Sequence, residues 1–374
     1  MSKALTMATT LAVAALPVSL AAATVHDSDQ ARFQVETVVS GLEHPWAIAF
    51  LPDGSKLVTE RAGRLRIIRD GELADEPVGG VPGVAARGQG GLLDILLHPD
   101  FEQNRIVFLS YAHANEAGMT TRVARAELRN DSLENLEVIF EAEPRSGTTR
   151  HFAGRMVMPA DGYLYVAVGD RGEMDRAQDF SDDAGAVHRI TVDGEVPDDN
   201  PFMDSENTRK TLFTKGNRNI QGMTLHPDTG AIWSHEHGPR GGDEINIIEA
   251  GTNYGWPDIT YGINYSGTPI TDDTHREGMA QPLHYWDPSI APSGMAFYTG
   301  DDFPEWRGDL FVGALKMQKL VRLELDNRRV VEEEDLLASL NKRIRAVAMG
   351  NDGHLWLLTD SADGEVLRLV PTSP

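Results

Sequence analysis

A loose repeat runs along this chain. Its unit is an Asp-Gly or similar turn, a short strand of alternating apolar residues, a polar turn and a second strand. Six copies can be marked: DGSKLVTERAGRLRII from Asp53, NRIVFLSYAH from Asn104, DGYLYVAVGDRG from Asp161, DTGAIWSHEHGP from Asp228, RGDLFVGALKMQKLVRLEL from Arg307 and NDGHLWLLTDSADGEVLRLV from Asn351. Leu164, Val166 and Val168 alternate with Tyr163, Tyr165 and Ala167, the period-two pattern of a strand. Turn residues recur with almost no helical periodicity between them, which points to an all-β chain. Radial repetition of four-stranded units is how such a chain protects its sheet edges. The expected fold is a six-bladed β-propeller, one domain over residues 24–374, with its functional loops over one end of the central channel. The units are somewhat longer than the ~40–50 residues of a typical blade, which leaves room for inserted loops. A two-domain β-sandwich would need a linker, and no low-complexity stretch supplies one.

Composition narrows the function classes. The 36 Gly and 20 Pro imply many turns, and the absence of Cys excludes thiolate metal sites, disulfides and a cysteine nucleophile. A net charge of −23 argues against nucleic acid and against anionic membrane surfaces. The first 23 residues read as a secretory signal peptide. Lys3 gives a basic start, Leu5 to Leu20 is an apolar run without charge, and Ala21, Ala22 and Ala23 supply a cleavage site. The run is short for a membrane span and carries Pro17, and no later segment is apolar enough to cross. A periplasmic or secreted chain without membrane insertion is expected.

The densest chemistry lies between Gly216 and Pro257. An Arg-Asn-x-Gln-Gly cluster is followed by Glu-His-Gly-Pro, an acidic turn and Asn-Tyr-Gly-Trp-Pro. So many Gly, Pro and unlike polar residues would break a helix or a buried strand, so they belong to loops, where function usually sits. His235 and His237 flank Glu236, and their spacing on a strand would put both on one face, as a transition-metal site would need. Elsewhere, His151 in Arg-His-Phe-Ala-Gly-Arg offers an imidazole that titrates near neutrality. Arg343 and Arg345 alternate on one face of a strand, as a polyanion site or a charged edge strand would have them.

Read together and in order, from HPWAIAFLPDG at His44 to the last repeat, these motifs resemble the soluble PQQ-dependent sugar dehydrogenases, in particular the aldose branch of the glucose/sorbosone dehydrogenase family. The resemblance implies oxidation of an aldose at C1 to the lactone, with hydride transfer to PQQ and electrons passed to an external acceptor such as a quinone, a cytochrome or an artificial dye. It implies His151 as the general base, Asp170 as the carboxylate that orients it, and Arg218 beside the quinone oxygens. Gln89, Asn219, Tyr265, Lys316, Arg343 and Arg345 would contact the cofactor, a tricarboxylate. Gly238 and Pro239 would offer backbone carbonyls to Ca²⁺, with Glu244 and Tyr254 forming a second calcium site. That match favours calcium over a transition metal at Glu-His-Gly-Pro. Asn217 and His237 follow the aldose branch rather than the glucose branch, and long dimer-forming insertions are absent, which suggests a monomer. A calcium-dependent lactonase-like hydrolase and a non-catalytic binding propeller are the alternatives. The hydrolase has no use for cations set around a polyanion, and the binding propeller has none for a paired His151 and Asp170.

Overall fold

The structure, a computed structural model, describes residues 24–372. The expected signal peptide and its cleavage site lie outside the described residues. The chain is built from six antiparallel sheets arranged as the blades of a propeller. Blade 1 comprises Pro45–Phe50, Lys56–Glu60, Arg64–Arg69 and Glu72–Leu73. Blade 2 comprises Leu92–Leu97, Ile106–Asn115, Gly118–Arg129 and Ser132–Glu141. Blade 3 has three strands, Met156–Val157, Leu164–Val168 and Ala186–Ile190. Blade 4 comprises Ile220–Leu225, Ile232–Glu236, Asp243–Ile248 and His284–Trp286. Blade 5 comprises Pro292–Phe297, Leu310–Ala314, Lys319–Asp326 and Arg329–Leu336. Each of the six sequence repeats supplies the second strand of one blade.

Blade 6 closes the ring. Its inner strands are Ile344–Met349, Leu355–Thr359 and Gly364–Pro371, and the last of them pairs with Arg32–Leu42 from the other end of the chain. The register runs antiparallel from Phe33 opposite Pro371 to Leu42 opposite Gly364. No copy of the repeat marks Arg32–Leu42, so this closure is not foreseen by the pattern. Val25–Asp27 adds a short fifth strand outside it. Among the described residues no helix is long and apolar enough to cross a membrane.

The strand alternation sorts side chains between two cores rather than between core and solvent. Leu164, Val166 and Val168 pack with Phe108 and Val123 of blade 2. Tyr165 and Ala167 pack with Ile220 and Ile232 of blade 4. Both faces of a blade are therefore buried, and each buried Leu or Val contributes roughly 1.5–3 kcal/mol. The innermost strands of neighbouring blades pack against one another all the way round. Where they converge, small residues are required: a Cβ on Gly294 would come within 2.7 Å of the Val347 backbone nitrogen.

One residue ties this ring together across the channel. Arg155, at the start of the inner strand of blade 3, is 8 % exposed. Its guanidinium pairs with Asp94 of blade 2 at 3.2 Å and donates to the carbonyls of Gln221 in blade 4 (2.6 Å) and Ser293 in blade 5 (3.0 Å). It also lies 3.9 Å from the ring centre of Trp46 in blade 1. Five blades thus share one fully hydrogen-bonded buried charge, the condition under which burial of an ion is tolerated.

Candidate active site

Loops at one end of the channel enclose a cavity of about 520 Å³. Gln89, Asn219, Lys316, Arg343 and Arg345 from the sequence reading line it, together with His44, Trp46, Arg61, Gln221, His237 and Asp360. In a chain of net charge −23 this concentration of Lys and Arg is a local inversion, suited to an anionic ligand. Asp360, which follows the second strand of blade 6, organises it. One carboxylate oxygen accepts from His44 Nδ1 at 2.9 Å, and the other faces Arg343 at 2.8 Å and Arg345 at 3.5 Å. Burial opposes ionisation of Asp360, but Arg345, His44 and Arg343 outweigh it and hold the carboxyl well below the usual carboxylate range. Burial also pushes the Arg345 guanidinium down to about 10, against the pull of Asp360, and the nearby Arg155, Arg343 and Arg61 add to the shift. A pair of carboxylates on a ligand would relieve that crowding of positive charge.

His151 stands beside this cavity on the loop that leads into blade 3. Its backbone is left-handed (φ 51°), and so is that of Ala153 (φ 54°), a strained arrangement that costs of order 1–3 kcal/mol per residue. The backbone N–H of His151 donates to Gln89 Oε1 at 2.7 Å. Its Nδ1 lies 2.5 Å from Asp170 Oδ1, and because a carboxylate only accepts, the proton is on Nδ1 and Nε2 carries the lone pair. Burial lowers the His151 pKa; the Asp170 hydrogen bond and charge pull it up, and Arg218 and Arg150 pull it down. The net direction is downward, so the ring is a neutral acceptor at neutral pH. Burial works against the Asp170 carboxylate, but the His151 hydrogen bond and the charges of His151 and Arg218 hold it below its ordinary value.

The loop around His151 has no slack at Gly169. A Cβ there would come within 2.2 Å of the His151 carbonyl oxygen. Gly169→Ala is expected to cost about 1–3 kcal/mol by overpacking and to lower activity with it. Urea unfolding and turnover check this; an unchanged midpoint with full activity would show that the loop can yield.

Arg218 turns away from the large cavity into a small adjoining cleft of about 10 Å³, room for one small ion or water. Glu236, Gly238, Glu244, Tyr254 and Trp256 line that cleft as well, and His237 borders both spaces. Arg218 Nη1 donates to the carbonyls of His237 (2.8 Å) and Gly238 (3.0 Å), while its buried Nε has no partner. The Gly238 turn is set by Asp243, which accepts from the Gly238 N–H at 2.8 Å and from Ile290 and Ala291 at the start of blade 5. Pro239 lies buried beside Gly262. Glu236 clamps the Arg218 loop, accepting from Asn217 Nδ2 and from the backbone N–H groups of Arg218 and Asn219. Glu236 and Glu244 face each other across adjacent strands. Burial, then repulsion by Glu236, pushes Glu244 up to about 8. The Asn246 side chain donates to Glu244 and leaves its own oxygen buried without a partner. Two facing carboxylates and the carbonyls of His237 and Gly238 give this cleft oxygen donors of the kind a hard cation such as Ca²⁺ takes, with the Arg218 guanidinium on both carbonyls in the present structure.

The transition-metal alternative finds no comparable set. His235 is fully buried over Gly222 with neither ring nitrogen partnered. His237 Nε2 donates to the Pro292 carbonyl at 2.6 Å, and burial pushes its pKa down to about 3. Among the described residues no group of three or more His, Cys, Asp or Glu is placed to hold a metal. Tyr265 is also not brought to the cavity. It is 72 % exposed, in a turn closed by the hydrogen bond from Asn264 to Thr268.

Several residues of the site were not singled out in the sequence: Asp360, His44, Glu236 and Trp256. Trp256 was visible within Asn-Tyr-Gly-Trp-Pro, and Glu236 within Glu-His-Gly-Pro. Asp360 lies within the last repeat and His44 just before an inner strand, where nothing in the local pattern distinguishes them.

Comparison with known proteins places the chain. It is 44 % identical over 347 residues to the aldose sugar dehydrogenase YliI of Escherichia coli (strain K12), covering 91 % of this chain and 94 % of that protein. The crystal structure of the soluble aldose sugar dehydrogenase of Escherichia coli in its apo form superposes with a TM-score of 0.88 at 43 % identity, covering 91 % of this chain and all of that one. The PQQ-bound form of the aldose sugar dehydrogenase of Streptomyces coelicolor superposes with a TM-score of 0.75 at 27 % identity, covering 91 % and 98 %. With the glucose/sorbosone dehydrogenase model matching residues 42–368, the chain belongs to the glucose/sorbosone dehydrogenase family.

Proposed function

We infer that this chain is a PQQ- and calcium-dependent aldose dehydrogenase that oxidises the sugar at C1. The observation that carries the reading is the neutral His151, paired with a buried carboxylate, beside a cavity of cations in an otherwise acidic protein. Lys316, Arg343 and Arg345 would hold the cofactor carboxylates, with Asn219 and Gln89 completing its polar contacts. PQQ, when bound, supplies the two-electron acceptor for the hydride that leaves C1. The protein's part is proton transfer: His151 Nε2 takes the C1 hydroxyl proton as the C–H electron pair departs and the carbonyl of the lactone forms. Asp170 holds the ring in the tautomer that leaves Nε2 free and stabilises the imidazolium that results. The crowded cations would favour negative charge that develops on a bound ligand. An external acceptor then takes the electrons. The apolar N-terminal run supports a periplasmic or secreted location, and the lack of long insertions supports a monomer.

Calcium is read into the carbonyls of Gly238 and Pro239, with Glu244 and Tyr254, which share the small cleft with Gly238, as the second calcium site. Chelation is expected to remove PQQ binding, and Ca²⁺ to restore it, in equilibrium titrations followed by cofactor absorbance. Recovery with Zn²⁺ but not Ca²⁺ would move the assignment to His235 and His237.

A further inference from the structure

We propose that Trp256 is a positioning residue for the proton-accepting pair, its indole N–H fixing the carboxylate of Asp170 that in turn fixes His151. Asp170 is 1 % exposed, and its two oxygens are used differently. Oδ1 accepts from His151 Nδ1 and, at 2.6 Å, from the Gly172 N–H. Oδ2 accepts from Trp256 Nε1 at 2.8 Å. The indole arrives from the long loop between the third and fourth strands of blade 4, whereas Asp170 follows the second strand of blade 3. It is held there by its own backbone: the Trp256 N–H donates to the Gly216 carbonyl at 2.9 Å, and its carbonyl accepts from Gln178 Nε2 at 2.7 Å. The ring also lies 5.2 Å from the Arg218 guanidinium, which binds the carbonyls of His237 and Gly238. One indole therefore joins the carboxylate behind the base to the cationic wall of the small cleft.

Ring packing alone does not require that N–H. A phenyl ring would fill much of the same space, but it would leave Oδ2 of a buried carboxylate without a donor. An anion that loses a donor binds protons more tightly, so the pair as a whole would give up its proton at higher pH. The charged and titratable groups facing His151 are Asp170, Arg150, Arg218 and His237, and none of these is altered by the change.

The proposal rests on His151 as the base, and the test separates the two. Two variants are compared with wild type: Trp256→Phe, and Trp256 replaced by β-(3-benzothienyl)alanine, which keeps the bicyclic shape and deletes only the N–H. In calcium-loaded holoenzyme, the acid limb of the pH profile for cofactor reduction by glucose is expected to move up by about half to one unit. The limiting rate is expected to fall by about tenfold with KM within twofold. In apoprotein, the His151 ring titrates by ¹⁵N NMR with the same upward shift, and this readout needs neither cofactor nor turnover. If Trp256→Phe does not fold, the benzothienyl variant decides. An unchanged His151 titration in that variant overturns the proposal. A shifted titration without any change in the acid limb supports Trp256 and removes His151 from the role of base.

Discussion

Replacing His151 by Gln is expected to slow reduction of bound PQQ by sugar by roughly 10²-fold or more, the scale of a general-base contribution. PQQ affinity should change little, because the cofactor contacts come from the cation cluster of blades 5 and 6. Reoxidation by a dye should be unaffected, since the base acts only on the sugar hydroxyl. Stopped-flow absorbance separates the two half-reactions. Cofactor reduction at the wild-type rate would remove His151 from the mechanism. The sign of the pH dependence follows from the same group. Burial sets the His151 pKa below 6.5, so the wild-type rate should be lost only as pH falls through that depressed value. Asp170→Asn should give a smaller loss of the same kind.

Arg345→Met is expected to weaken PQQ binding by roughly 30-fold or more, the cost of removing one partner from a buried charge cluster. Arg345 is the deepest of the cations, its side chain 12 % exposed, and it also donates to Gln221 Oε1 at 3.1 Å. The exposed Lys316 should matter less, because solvent screens it. Equilibrium titration of apoprotein with PQQ in the presence of Ca²⁺ measures both. If the two variants bound equally well, the depth of Arg345 would carry no weight and the cavity would be a surface patch in electrostatic terms.

The fold was legible because the turn that opens each of the six repeats begins the same structural event, the second strand of a blade. Leu164, Val166 and Val168 advertised a strand through their alternation, although both of its faces are buried. The closing strand Arg32–Leu42 has no such turn, and its partner lies at the far end of the chain, so only the completed ring defines it. The site was legible where one short stretch carries it, as at His151 and Gly238. It was not legible where the ring joins distant residues: Asp170 and Trp256 are 86 positions apart, and His44 and Asp360 are 316. Tyr265, expected at the cofactor by resemblance, lies on a turn that faces solvent and does not line the cavity.

Ring closure also dictates when this protein can first acquire its cofactor. Arg343, Arg345 and Asp360 belong to blade 6, and that blade is sealed by pairing the strand Gly364–Pro371 with Arg32–Leu42. A chain that ends before residue 340 carries His151, Asp170 and every residue lining the small cleft, yet it lacks Arg343 and Arg345 of the cation cluster. Topology therefore orders biogenesis in one respect: the cation cluster is complete only once the last blade has been made.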